Sequence, residues 1–167
     1  MKPIKKKRKN SRSKGSRFER HIAKDFSDWC GFVCKRTPLS GGWAKTGDVT
    51  PKSPKDMVEF IFCVELKHQE GWSFSSSFLG GKPNKQINAW WNQCTADARK
   101  SNRIPLLIFT KNFDQVYCMC ETKLFKRADL KAVTTVLVSI PKFRIFLWDD
   151  LRKIPYLEIK QRIGEQL

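Results

Sequence analysis

The sequence predicts an α/β fold in which a mixed β-sheet is covered by helices. Residues 16–30 and 85–100 place apolar side chains at helical spacing, while "FIFCVEL" and "IPLLIFT" are apolar runs typical of buried strands. Helical and extended segments alternate along the chain, as α/β layouts require. With 167 residues, 40% of them hydrophobic, the chain has the length of one domain with a real core.

Basic residues far outnumber acidic residues in this chain. Thirty-three Lys and Arg residues against 16 Asp and Glu residues give a formal net charge of +17. Such an excess is usually matched to a polyanion, so DNA, RNA and an anionic membrane surface are the partners to consider. No stretch is apolar enough to span a bilayer or to resemble a signal peptide, so we expect a soluble cytoplasmic protein. Six cysteines without a C-x-x-C pair indicate reduced core thiols rather than a zinc site.

The N-terminal residues 1–14, "MKPIKKKRKNSRSK", carry eight basic residues and no acid. They are predicted to form a disordered arm, with residues 15–167 as a single domain. The arm can serve as a solubility tail, as a nuclear address, or as a phosphate-binding segment, which the basic remainder of the chain favours. Its candidate DNA-binding residues are Lys5, Lys6, Lys7, Arg8 and Lys9.

The first helix is predicted from an apolar face formed by Phe18, Ile22, Phe26 and Trp29. Ser16 followed by Glu19 matches a capping box and predicts that the helix begins there. Gly31 is placed to end the helix.

Two short strands and one long one are expected next. "GFVCKRT" reads as a short strand, and the loop "PLSGGWAKTG" leads to Asp48, where two nearby prolines allow only a brief or edge strand. "MVEFIFCVELK" is the clearest strand of the sequence. The segment "HQEGWSFSSSFLGGKPN" then forms a long polar loop, of a length that is often functional.

The second helix is expected from Lys85 to Lys100. Its apolar side includes Trp90 and Trp91, which can pack in the core or stack on unpaired bases; core packing is favoured for at least one of them. "IPLLIFT" and "QVYCMC" are predicted as neighbouring strands, followed by a helical stretch from Glu121 to Leu130. "VTTVLVSI" and "FRIFLW" are predicted as further extended segments, and "DDLRKI" as a terminal helical turn.

The end of the clearest strand carries the candidate chemistry. Because side chains alternate along a strand, Glu65 and Lys67 share a face. Together with Asp48, Glu65 can hold a hard cation such as Mg²⁺, and the Leu66 carbonyl can add an oxygen. A bound cation lowers the pKa of a coordinated water and offsets charge on a phosphate, while Lys67 can orient that water or stabilise the oxyanion.

Each signal also has a plain structural explanation. Glu and Lys two residues apart are usually a solvated face, and Asp after Gly is usually a turn residue. The capping box accounts for Glu19 without any catalytic role. The basic residues beside the candidate site can contact phosphates or form a solvated face; they are Lys35, Arg36 and Lys45. The joint order of the acidic residues, on a chain this basic, is more specific than any one of them.

"GD" at residues 47–48 with "ELK" at residues 65–67 resembles the motif of the PD-(D/E)xK nuclease superfamily, with Gly47 where proline is usual. Within it, the chain is similar to Holliday junction resolvases of the archaeal Hjc and bacterial RecU types. The flanking stretches that carry this similarity are "KGSRFERHI", "KRTPLSGG", "WSFSSSFLGGKPNKQINAWWNQ" and "FDQVYCMCETKLF". They extend from about Lys14 to Leu130, although Arg36 to Asp48 is too short for the long stalk of RecU-type chains.

The resemblance implies a restriction-endonuclease-like mixed central sheet flanked by helices, Mg²⁺-dependent catalysis in which Mn²⁺ substitutes, and a homodimer that cuts four-way junctions. It implies metal-binding roles for Glu19, Asp48, Glu65 and Leu66, and catalytic roles for Lys67 and Gln86, with Ser40 in a loop near the DNA. A two-fold dimer also suits two balanced nicks. The small chain suits a phage or mobile element. Other superfamily nucleases that nick, restrict or repair DNA, and a non-catalytic basic nucleic-acid-binding protein, remain alternatives.

Overall fold

The computed structural model describes residues 11–37, 47–74, 84–130, 137–139 and 142–164. The helices are α1 (Ser11–Cys30), α2 (Lys85–Ser101), α3 (Thr122–Arg127), α4 (Trp148–Arg152) and α5 (Tyr156–Gly164). The strands are β1 (Cys34–Arg36), β2 (Val49–Pro51), β3 (Phe62–His68), β4 (Ile104–Thr110), β5 (Tyr117–Glu121), β6 (Val138–Ser139) and β7 (Phe143–Leu147). A 3-10 turn, Pro54–Met57, precedes β3.

Five strands form a mixed sheet in the order β3-β4-β5-β7-β6. Among the described strands of this sheet, β3 and β4 pair in parallel, which their crossover through α2 permits, and the other pairs are antiparallel. Strands β1 and β2 form a separate antiparallel pair. The predicted α/β fold, a mixed central sheet flanked by helices as in restriction endonucleases, is confirmed.

The two long helices cover opposite faces of the sheet. Phe18, Ile22 and Phe26 of α1 share one core cluster with Val64 and other residues of that sheet face. On the other face, α2 packs its apolar side against β4, and the Trp90 ring lies 6.1 Å from that of Phe109. Trp90 and Trp91 are both buried, which confirms core packing for these tryptophans. All six cysteines are buried and free, as predicted.

Helix α1 begins at Ser11, so the predicted start at Ser16 is wrong. Ser16 lies inside the helix, and the Lys14 ammonium donates to the Asn112 side-chain oxygen at 3.2 Å, which ties the added turn to the turn between β4 and β5. The expected boundary between arm and domain therefore lies within α1. At the other end, Gly31 has φ +79° and its N–H donates to the Ser27 carbonyl, which confirms the predicted terminator.

Helix α5 was not among the predicted elements, although Tyr156, Ile159 and Ile163 have helical spacing and are buried. Its first residue, Tyr156, makes two hydrogen bonds to the chain just before β3. The Tyr156 hydroxyl donates to the Glu59 carbonyl at 2.8 Å and accepts from the Ile61 N–H at 2.9 Å. These bonds anchor the chain just before β3, the strand that carries the candidate site.

No helix of the described residues is long and apolar enough to cross a membrane.

Candidate active site at the end of β3

Glu65 and Lys67 lie side by side near the end of β3. Their strand positions pair with Leu107 and Phe109, so both side chains are on the sheet face that α2 covers. The Lys67 ammonium lies 2.6 Å from a Glu65 carboxylate oxygen, and only 7% of the Glu65 side chain is exposed. The solvated-face explanation is therefore wrong for Glu65, which is a buried carboxylate.

Asp48 is joined to β3 by backbone contacts. The Asp48 N–H donates to the Val64 carbonyl at 2.6 Å, and Gly47 forms a parallel bridge with Val64. The Asp48 carboxylate then accepts from the Leu66 N–H at 2.8 Å. Since Leu66 follows Glu65 directly, these bonds hold the two carboxylates next to each other at the β3 edge of the sheet.

Gly47 allows the chain at Asp48 to lie this close to the backbone of β3. Its φ is +97°, and a Cβ at this position would lie 2.5 Å from the Val64 carbonyl oxygen. Proline fixes φ near −65°, so it cannot adopt this conformation. The departure from the usual proline therefore has a structural reason in this chain.

The electrostatics of Glu65 would suit a bound cation. Burial raises the pKa of its carboxyl group above the ordinary value of 4.5, and the neighbouring Asp48 raises the pKa further. The Lys67 ammonium acts against both effects without cancelling them. Two close carboxylates with one compensating cation leave negative charge that a divalent ion can neutralise.

A first prediction follows for the metal-free protein. We expect Glu65→Gln to raise Tm by a few degrees at pH 7 in EDTA, because it removes a buried carboxylate held ionised beside Asp48. A folded-state pKa above the unfolded one costs stability once pH exceeds the unfolded value, so the gain should vanish as pH falls towards 4.5.

Thermal unfolding at both pH values tests this prediction, with Glu158→Gln as the control. Glu158 is a partly exposed glutamate paired with Arg162 on α5, so its amide should bring no gain. If Glu65→Gln melts below the wild type at pH 7, the Lys67 ammonium stabilises the ionised Glu65 carboxylate by more than burial and the Asp48 charge destabilise it.

Glu19 lies on α1, which covers the opposite sheet face from Glu65. Its carboxylate is 2.7 Å from the Arg36 guanidinium nitrogen Nε, and both side chains are about one-quarter exposed. The capping explanation for Glu19 is wrong, because the helix begins at Ser11 and Ser16 is therefore not its N-cap. Within the described residues, no three His, Cys, Asp or Glu side chains converge well enough to hold a metal ion. The metal-binding role of Glu19 stays a prediction.

Two glutamines of α2 differ in their contacts with the chain around and after β3. Gln86, the predicted catalytic residue, donates its amide to the Glu70 carbonyl at 3.3 Å. Gln93 instead accepts from the Lys67 ammonium at 3.2 Å. Sequence reasoning missed Gln93, yet it lies two helical turns beyond Gln86 and so on the same helix face, which is a readable signal.

Of the residues predicted to contact DNA, the structure describes Lys35 and Arg36. Lys35 is exposed on β1, beside the Glu19–Arg36 ion pair. The Thr37 N–H donates to the Asp48 carbonyl at 2.8 Å, so β1 leads directly to the candidate site. The remaining candidates lie outside the described residues; they are Lys5, Lys6, Lys7, Arg8, Lys9, Ser40 and Lys45.

The donor set fits a hard divalent cation. Carboxylate and carbonyl oxygens are the ligands that Mg²⁺ prefers, and it usually keeps several waters instead of needing a full protein cage. Asp48 and Glu65 are the carboxylates that could hold such a cation, and the charge of Asp48 adds to burial in raising the pKa of Glu65.

Comparison with known proteins agrees with this geometry. The chain is 27% identical over 110 residues to Protein D14 of Escherichia phage T5, covering 64% of this chain and 68% of that protein. No solved structure matches. Residues 10–160 match the family model described as "Phage putative PDDEXK endonuclease", which also supports the predicted phage origin. Because this match spans most of the 167 residues, the chain belongs to that family of PD-(D/E)xK nucleases.

Proposed function

We propose that the chain is a Mg²⁺-dependent, structure-selective DNA endonuclease that resolves four-way junctions by paired nicks as a homodimer. The observation that carries the proposal is the placement of Asp48, Glu65 and Lys67 together at the end of β3. Family membership supports nuclease chemistry, and the net charge of +17 suits a DNA substrate.

Each residue at the site has a proposed role. Asp48 and Glu65 hold the cation, with the Leu66 carbonyl and Glu19 as further oxygen ligands. When bound, Mg²⁺ supplies a water of lowered pKa and offsets charge on the phosphate; Mn²⁺ shares its preference for oxygen ligands and is expected to substitute. Lys67 donates to the attacking water or to a phosphate oxygen.

The glutamines have supporting roles in this scheme. Gln93 accepts from Lys67 and so restricts where the ammonium can point. Gln86 is proposed to help position the nucleophile or the DNA backbone, from the first turn of α2. Lys35, together with Arg36, supplies positive charge beside Asp48.

Junction specificity is supported by the resemblance of the flanking segments to resolvases. A homodimer follows from the substrate, since a two-fold axis presents one site to each of the two strands that must be cut.

One cleavage assay tests the proposal. The protein is incubated in Mg²⁺ with a four-way junction and, separately, with a linear duplex of the same arm sequence. We expect paired nicks at symmetric positions of the junction, an intact duplex, and no cutting in EDTA. Asp48→Asn, which keeps the size of the side chain but removes its charge, should cut neither DNA.

Two other outcomes contradict the proposal. Equal cutting of junction and duplex indicates a nicking, restriction or repair nuclease of the same superfamily. No cutting in Mg²⁺ or Mn²⁺, with DNA binding retained, indicates a non-catalytic basic nucleic-acid-binding protein.

A further inference from the structure

A groove of about 730 Å³ lies beside the candidate active site, between α1 and the turn that joins β4 to β5. It is bordered by His68, which directly follows Lys67 at the end of β3. The groove therefore opens at the same end of the sheet as the candidate site, on the face that α1 covers. Its other main lining residues are Lys14, Arg17, His21, Asn112 and Phe113.

The charge of the groove favours an anion. Its described lining includes Lys14 and Arg17 and contains no carboxylate. Arg17 is exposed and forms no ion pair within the described part of the chain. Lys14 donates across the groove to Asn112 at 3.2 Å, so its cationic head is held at the groove.

Phe113 is an aromatic ring held out in solvent. It is fully exposed, and its φ of +60° is uncommon for a bulky residue. The residues on either side of it are fixed: the Asn112 N–H donates to the Glu70 carboxylate at 2.8 Å, and Asp114 accepts from the Tyr117 hydroxyl at 2.7 Å. A rigid turn that presents a bare aromatic ring next to cations is suited to stacking.

His68 adds unused hydrogen-bonding capacity. Its ring packs edge-on against Phe18 at 5.6 Å, and its two nitrogens are shielded from solvent. Neither nitrogen has a hydrogen-bond partner among the described residues. A buried polar group without a partner destabilises a protein, and a ligand group that reaches the ring can relieve that cost.

We propose that this groove binds an unpaired DNA strand flanking the scissile phosphate, with Lys14 and Arg17 on phosphates and Phe113 stacked on an exposed base. Cations that track a backbone, next to an aromatic ring, are the usual means of binding single strands without sequence preference. A continuous duplex keeps its bases stacked on each other and cannot offer one to Phe113. The groove thereby selects DNA that opens at a branch. This inference rests on the proposed nuclease function for the position of the scissile phosphate.

The test measures binding in EDTA, where no DNA is cut, by fluorescence anisotropy. The probes are a four-way junction, a single strand and a linear duplex, each with the same label. We expect Phe113→Ala to weaken junction and single-strand binding by about tenfold and duplex binding by less than about twofold. Arg17→Gln should lower the salt dependence of single-strand binding by roughly one phosphate contact.

Leu157→Ala is the matched control, because Leu157 is another exposed apolar side chain, on α5 and away from the groove. It should leave all three affinities unchanged. Equal weakening on all three DNAs, or no weakening by Phe113→Ala, overturns the inference. A molecular mass of Phe113→Ala that differs from that of the wild type by light scattering also overturns the inference, because it assigns Phe113 to contact with a second copy of the chain.

Failure of the inference and of the proposed function can be told apart. If the protein cuts junctions while Phe113→Ala leaves binding unchanged, only the groove assignment is wrong. If nothing is cut but Phe113 still discriminates single strand from duplex, the groove assignment stands and the catalytic one does not.

Discussion

Lys67→Met is expected to lower the rate of junction cleavage by about 10²- to 10³-fold, the usual cost of removing one positioned donor at a developing charge. Methionine matches the apolar part of the lysine side chain as far as Cε but removes the ammonium. The change also leaves Glu65 buried without its cation, so the pKa of Glu65 should rise further and weaken binding of the metal. Single-turnover cleavage in saturating Mg²⁺ measures the effect on the chemical step.

Lys100→Met is the matched control for this change. Lys100 is also paired with a carboxylate, that of Asp97 at 2.9 Å, but it lies at the end of α2 and is exposed. Both variants remove one positive charge, so a general loss of DNA attraction should affect them equally. Binding in EDTA should stay within about twofold of the wild type for both. Lys67→Met cleaving as fast as Lys100→Met contradicts the catalytic assignment.

The residues of the site that could be predicted from sequence are those fixed by local pattern. An apolar run identifies β3, and strand alternation then places Glu65 and Lys67 on one face without knowledge of the rest of the fold. The structure confirms that neighbourhood and adds burial, which the sequence did not show. Asp48 was found from its order in the chain, while its hydrogen bond to Leu66 depends on how the β2 segment joins the edge of β3.

The errors come from tertiary contacts that override local rules. The capping box at Ser16 is a sound local signal, yet α1 continues towards the N-terminus, where Lys14 contacts Asn112, which is far away in sequence. The glutamine that contacts Lys67 is Gln93, and choosing between it and Gln86, on the same helix face, requires the position of α2 along its axis relative to β3. That position is set by how α2 packs on the sheet, which single-sequence patterns do not specify.

Gly47→Pro, which restores the residue usual in the superfamily motif, is expected to reduce cleavage by about 10³-fold or more and to destabilise the fold. Proline cannot reach φ +97°, and its Cβ would overlap the Val64 backbone. The segment carrying Asp48 must then leave β3, so Asp48 loses its bonds to Val64 and Leu66, and Glu65 loses its neighbouring carboxylate. Strain of this kind costs on the order of 1–3 kcal/mol in unfolding free energy, measurable in urea.

Gly47→Ala and Gly31→Ala separate the two causes of that effect. Both glycines have positive φ, but a Cβ on Gly31 meets no atom within 4 Å, whereas one on Gly47 meets the Val64 backbone. Gly31→Ala should therefore show only the strain of the left-handed conformation, roughly 1 kcal/mol, with cleavage unchanged. Gly47→Ala should lose both stability and cleavage, because the added Cβ displaces Asp48. If Gly47→Ala behaves like Gly31→Ala, close contact with β3 is not what holds Asp48 beside Glu65.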